Sequence, residues 1–152
     1  METTASCREA LVHGDVSPKN ILVNHASEPV ILDAECAWYG DPAFDLAFVL
    51  NHLLLKSVVR PDAADTLRQA ISALIDSRAA HDTPSEVAPV LARATALLPA
   101  LLLARIDGKS PAEYLTDPAR QSVVRVVARR FLLDPAAHPL EITAALTGDS
   151  RP

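Results

Sequence analysis

The hydrophobic rhythm of the chain changes once, near residue 41. Before that point the apolar residues fall in two short β-branched runs, Ile21-Leu22-Val23-Asn24 and Pro29-Val30-Ile31-Leu32-Asp33, separated by His25-Ala26-Ser27-Glu28. This pattern predicts a hairpin with a four-residue loop. Both runs are almost wholly apolar, which predicts a hairpin buried on both faces. Beyond residue 41 the spacing turns helical. Asp41-Pro42 sets a capping carboxylate before a proline at the first helical position. The run from Phe44 through Leu46, Phe48, Leu50 and Leu54 to Val58 is apolar on nearly every side, as a central buried helix should be. A second helix over about 62–80 carries Leu67, Ala70, Ile71, Leu74 and Ile75 on one stripe.

Three more helix starts are spelled out. Thr83-Pro84-Ser85-Glu86 and Ser110-Pro111-Ala112-Glu113 have capping-box spacing. Asp117-Pro118 opens a helix with Val123, Val124, Val127 and Phe131 inward and Arg125, Arg129 and Arg130 outward. Pro89 and Pro99 are expected to break or kink the segment 83–105. A short helix over 140–146 closes the pattern before Gly148. The expected architecture is mainly α with a small β-hairpin: 1–152 as a single partial domain, 11–41 as a loop-and-hairpin unit, and 42–147 as a helical bundle.

Composition narrows the function classes. With 152 residues, 49% of them apolar, the chain can bury a real core. Its net charge of −5 argues against a nucleic-acid platform, which needs a basic face. Cys7 and Cys36 cannot make a disulfide framework, so a reducing, cytoplasmic setting is expected. The first ten residues lack an apolar signal core. The longest apolar stretch, around 97–104, contains Pro99 and falls well short of the roughly 20 residues that span a bilayer. No membrane partner is expected.

One segment stands apart from this generic helical pattern. His13-Gly14-Asp15-Val16-Ser17-Pro18-Lys19-Asn20 reads H-G-D-x-x-x-x-N, then comes the hairpin, then Asp33-Ala34-Glu35. Transfer of a γ-phosphoryl group needs a carboxylate near the acceptor hydroxyl and oxygen ligands that hold magnesium on the phosphates. Asp15 and Asn20 lie five residues apart in one loop, so a single turn can aim one at the acceptor and the other at a metal. A hairpin that starts just after Asn20 returns the chain to its origin and brings Asp33 beside Asn20. Two such oxygen donors, with phosphate oxygens and waters, suit the octahedral demand of magnesium.

The segment resembles the catalytic loop and metal-binding aspartate of the aminoglycoside phosphotransferase and choline kinase family, relatives of the protein kinases, which write H-R-D-x-x-x-x-N. The likeness covers 11 to about 50, including Ile31-Leu32-Asp33-Ala34-Glu35 and Gly40-Asp41-Pro42-Ala43-Phe44-Asp45-Leu46-Ala47. It implies the C-terminal lobe of a protein-kinase-like fold, with 11–41 as catalytic loop plus metal-site hairpin. It implies ATP and Mg2+ as cofactors and a small-molecule hydroxyl acceptor. Asp15 would be the catalytic base or acceptor-orienting carboxylate. Asn20 and Asp33 would be magnesium ligands, with Glu35 a further candidate directly or through water. His13 would be structural, bonded to backbone near Asp33, and Asp45 would accept backbone N–H bonds from the catalytic loop. Lys19 is a candidate for approaching a phosphate.

The family also needs a Gly-rich strand pair and a strand lysine before the loop. Here no G-x-G-x-x-G occurs, and none of the three lysines, Lys19, Lys56 and Lys109, precedes His13. The expectation is a truncated or split phosphotransferase or a fragment of a larger enzyme, weak or inactive by itself, with a separate nucleotide-lobe polypeptide as a candidate partner. The alternative is a catalytically inactive remnant acting as a binding or scaffold module. A magnesium phosphohydrolase is a poorer fit, because Asp33-Ala34-Glu35 imitates its D-x-D poorly and the His13 loop would go unexplained.

The remaining chemistry-bearing residues read as structural. His25, His52, His81 and His138 lie scattered without zinc-ligand spacing and suit surface or helix positions. Cys36 reads as packing. Trp38, Tyr39, Phe44 and Phe48 read as a core cluster, with the first two able to face an acceptor pocket. In the polar island 105–110, Gly108 should cap one helix and Ser110 start the next. The helix over 42–60 offers an aminoglycoside only Asp45, so an amino alcohol or a sugar is as well supported an acceptor.

Overall fold

A computed structural model describes residues 2–81 and 83–148 of the chain. A short helix α1 (Glu2–Ser6) precedes strand β1 (Ala10–Val12), which pairs antiparallel with β4 (Trp38–Gly40) in the register Ala10↔Gly40 and Val12↔Trp38. Between them β2 (Ile21–Val23) pairs with β3 (Pro29–Ile31), with Ile21 opposite Ile31. The β1–β4 ribbon therefore clasps both ends of the loop-and-hairpin unit, and Val12 is fully buried beneath it. The turn of the hairpin is organised by Asn24, whose Oδ1 accepts from the N–H groups of Ala26 and Glu28 at 2.9 Å. That Asx arrangement lets Ser27 adopt φ 63°.

The remainder is helical: α2 (Ala43–Val59), α3 (Ala64–His81), α4 (Pro84–Asp107), α5 (Pro118–Leu133) and α6 (Pro139–Thr147). Central α2 touches all four others, and its Leu50, Leu54 and Leu55 are wholly buried. Opposite them sit Ile71 of α3, Leu98 and Leu102 of α4, Val124 of α5 and Ile142 of α6. Asp117 caps α5 by accepting from the N–H of Ala119, and Gly148 ends α6 at φ 69°. The capping box of α4 forms as spelled, with Thr83 N–H donating to Glu86 Oε2 at 3.0 Å.

Several sequence expectations are overturned. The hairpin is not buried: both strands lie open, with Val23 68% and Ile31 57% exposed. Its two strands pack chiefly on each other, while the five long helices pack on one another. Pro89 and Pro99 do not break the helix; α4 runs through both for 24 residues. Each missing N–H costs up to about 3 kcal/mol, but burial of Val90, Ala94, Leu98 and Leu102 against α2 and α5 outweighs it. No helix starts at Ser110. Residues 108–116 form a turn that drops Ala112 and Leu115 into the core and returns Ala112 N–H to Arg105 O at 2.7 Å. Val123 faces out at 43% exposure, and Ala70 is exposed beside the stripe made by Ile71 and Ile75.

The apolar run also extends well past 97–104. Helix α4 is long and apolar enough to cross a membrane by length and composition. In this fold it lies between α2 and α5 and carries Arg93, paired with the buried Asp41.

Candidate functional site

The loop 13–20 is held from both sides. Asp45, in the first turn of α2, accepts from the backbone N–H of His13 at 2.7 Å and of Gly14 at 2.9 Å. Gly14 adopts φ +87°, and a Cβ there would lie 2.6 Å from the Trp38 ring and 2.8 Å from the Cys36 carbonyl. Only glycine fits this crossing. His13 bridges the loop to the hairpin: its Nδ1 accepts from Asp15 N–H at 3.2 Å and its Nε2 lies 2.9 Å from Leu32 O. Those partners assign the neutral tautomer with the proton on Nε2. Leu32 N–H in turn donates to Asn20 O at 2.8 Å. The hairpin thus brings the backbone before Asp33 against Asn20.

Asn20 is buried, and its Nδ2 donates to both the backbone carbonyl and the Oδ2 of Asp15, at 3.0 and 2.9 Å. Its amide nitrogen is therefore spent on Asp15, and its Oδ1 is the oxygen left over. Asp15 Oδ2 also lies 3.4 Å from Lys19 Nζ. Asp33 sits in the left-handed region at φ 66° and ψ 52°, where an aspartate is tolerated but mildly strained. Its carboxylate and that of Glu35 are exposed and bonded to no cation among the described residues. Hard oxygens without partners beside a loop carboxylate fit magnesium by donor chemistry. Asp15, Asp33 and Glu35 do not, however, close to within 4.8 Å of one another.

Asp15 opens onto a cleft of about 640 Å³ that the sequence does not reveal. One wall is the loop, with Ser17 and Lys19. The floor is one face of α2, with Phe48, His52 and Lys56. The far wall is the end of α4 with the 108–114 turn. An aromatic ladder supports the floor: Trp38 meets Phe44 edge-on at 5.1 Å, Phe44 stacks on Phe48 at 5.8 Å, and Phe48 meets His52 at 5.2 Å. Spacing of four residues along α2 puts the last three on one face. Tyr114 reaches across from the turn, its hydroxyl 3.1 Å from His52 Nδ1 and its ring 5.1 Å from Lys56 Nζ. Burial raises the Tyr114 pKa, so its hydroxyl keeps its proton. Burial, then the charge of Arg105, lowers the His52 pKa from 6.5 to about 4, so the ring is neutral near pH 7.

A model of the phosphotransferase enzyme family matches residues 2–81, more than half of the chain. The chain belongs to that family. A search of curated proteins finds no match to it.

For this phosphotransferase-family chain the sequence singled out as site residues those of one wall of the cleft and none of the opposite wall. The aromatic group is a half-buried ladder rather than a closed core, and Tyr39 stands apart at the surface. Cys36 is exposed and lines the cleft instead of packing. His52 is buried, and the island 105–110 supplies Arg105, Lys109 and Ser110 to the far wall. Arg93 also escaped notice. It grips Asp41 with two hydrogen bonds of 2.9 Å and reaches Glu9 Oε2 at 3.1 Å. Cys7, Glu9 and Asp41 lie close enough together to suggest a metal, yet the Arg93 guanidinium is already the cation among them. Burial, reinforced by Glu9 and Asp41, raises the Cys7 pKa and keeps it a protonated thiol, a poor ligand.

Proposed function

We propose that the chain is the catalytic, C-terminal lobe of a protein-kinase-like small-molecule kinase, transferring phosphate from ATP to a hydroxyl in a magnesium-dependent reaction. The observation that carries this is the pairing at Asp15. One carboxylate is fixed by Asn20 at the mouth of a cleft, while the oxygens of Asn20 and Asp33 are left for a cation. Magnesium ATP, when bound, supplies the γ-phosphoryl group and has its charge neutralised by the metal. Asn20 and Asp33 would hold the metal, with Glu35 as a further ligand. Asp15 would orient the acceptor hydroxyl and take its proton as the new phosphoester bond forms and the bond to the departing ADP oxygen breaks. Asp45 and His13 keep the loop rigid, so that Asp15 needs no reorganisation when the acceptor arrives.

The nucleotide needs a Gly-rich strand pair and a strand lysine that residues 1–152 do not spell, so we assign them to a nucleotide lobe, on a separate polypeptide if not on this one. The exposed apolar hairpin and Leu11 form the surface we assign to that lobe. Free thiols at Cys7 and Cys36 suit the cytoplasm, where ATP and magnesium abound. No nucleic acid or membrane enters the reaction as proposed.

The test is acceptor-stimulated ADP formation, with the chain alone and with a nucleotide lobe from a family member added in trans. The expected result is activity only in the mixture, and a fall of about 10² to 10⁴ for Asp15→Asn. Lobe binding without acceptor-dependent turnover would replace the kinase reading with that of a non-catalytic binding module.

A further inference from the structure

The chain carries a net charge of −5 and has only three lysines, Lys19, Lys56 and Lys109. All three line the same cleft, and Arg105 lines it with them. Against these four cations the cleft sets two carboxylates, Asp15 and Glu113. Asp15 is engaged by Asn20 and Lys19. At the far end the cations have no carboxylate partner among the described residues. Lys56 rests on the Tyr114 ring, and Arg105 Nη1 donates to the carbonyl and hydroxyl oxygens of Ser110 at 2.6 and 3.0 Å.

Two neutral polar groups in the lining also await a partner. Ser17 is 1% exposed and His52 6%, and among the described residues neither Ser17 Oγ nor His52 Nε2 has a hydrogen-bond partner. Leaving a buried polar atom unsatisfied costs about 1–3 kcal/mol, which a polar group of a ligand would recover. The cleft thus has a carboxylate at one end and an excess of positive charge elsewhere.

Resting on the kinase reading above, we propose that this cleft takes an anionic hydroxyl compound, one whose carboxylate or phosphate lies toward Lys56, Arg105 and Lys109 while its hydroxyl meets Asp15. With Lys19 and Asp15 offsetting each other, a polycationic acceptor would face three like charges, Lys56, Arg105 and Lys109, against one carboxylate, Glu113. Neutral sugars would leave the cations without counter-charge. The cleft's chemistry thereby selects against the amino-alcohol and aminoglycoside acceptors that the sequence left open.

Binding can be measured without turnover, which separates this proposal from the kinase reading. Calorimetric titration of the purified chain would compare glycerol phosphate, glycerate, inorganic phosphate, glycerol and choline at low ionic strength. Glycerol phosphate or glycerate should bind at least about tenfold more tightly than glycerol, with choline undetected. Preference between the two anionic probes identifies phosphate or carboxylate as the group read. The double substitution Lys56→Met with Lys109→Met should remove about tenfold or more of that affinity, whereas Arg129→Gln, an exposed cation outside the cleft, should leave it unchanged. Thermal unfolding confirms that each variant is folded. Choline binding as tightly as the anions, or equal losses in Arg129→Gln, would overturn the proposal. So would inorganic phosphate matching glycerol phosphate, which marks a site for nucleotide phosphates rather than an acceptor. Turnover of an anionic acceptor failing while its binding holds would count against the kinase reading alone.

Discussion

Asp45 shows how much of the site depends on single side chains. It supplies acceptors to two consecutive N–H groups that the loop cannot satisfy itself. Asp45→Ala should lower stability by about 2–4 kcal/mol, because each charge-assisted bond is worth about 1.5–3 kcal/mol before relaxation. Urea denaturation measures the loss, and faster amide exchange at His13 and Gly14 would locate it in the loop. His52 makes a pH-dependent contribution. Its folded pKa lies near 4 against 6.5 when free, so below pH 6.5 the unfolded chain binds the extra proton. Stability conferred by the neutral ring is complete above about pH 6.5 and is lost as pH falls toward 4, to the extent of a few kcal/mol. His52→Gln should flatten that part of the stability profile. If the mutant retains the same slope, the burial of a neutral ring is not its source.

At the scale of elements, the Asp41–Arg93 pair ties the start of α2 to α4. Burial tends to raise the Asp41 pKa, but hydrogen bonds from Arg93 and from Ala43 N–H outweigh this and hold it below the ordinary carboxylate value. The stabilisation is therefore present above the usual carboxylate range and disappears in acid as Asp41 takes up its proton. Arg93→Met leaves a buried carboxylate unpaired and should cost about 3–5 kcal/mol. Equilibrium unfolding at pH 7 reads that cost, and a loss under about 1 kcal/mol would show the pair to be dispensable. The open hairpin predicts the opposite behaviour. Leu22→Lys with Ile31→Lys should change stability by no more than about 0.5 kcal/mol, since neither side chain is buried. The same double substitution should abolish stimulation by an added nucleotide lobe.

Across the whole molecule, what could be read from sequence was what depends on neighbours in the chain. The H-G-D-x-x-x-x-N loop, the hairpin and Asp45 lie within one short stretch, so their spelling implied their arrangement. The capping signals at Thr83 and Asp117 were legible for the same reason. Ser110-Pro111-Ala112-Glu113 spells an equally good cap, but burial of Ala112 and Leu115 prevailed over it. The cleft was illegible because its walls meet only through tertiary packing: Tyr114 lies 62 residues from His52, and Arg93 lies 52 from Asp41. An apolar hairpin left uncovered also contradicts any reading based on burial alone. We propose that the nucleotide lobe assigned above is what covers it.

The proposed cation ligands Asn20 and Asp33 bear on everything proposed for phosphate chemistry, and paramagnetic broadening by Mn2+ in place of magnesium tests them most directly. Substoichiometric Mn2+ should broaden amide signals around Asn20 and Asp33 first, with the effect abolished by Asp33→Asn and reversed by EDTA. Broadening centred instead on Cys7, Glu9 and Asp41, or unchanged by Asp33→Asn, would contradict the assignment of Asn20 and Asp33 as the metal's ligands.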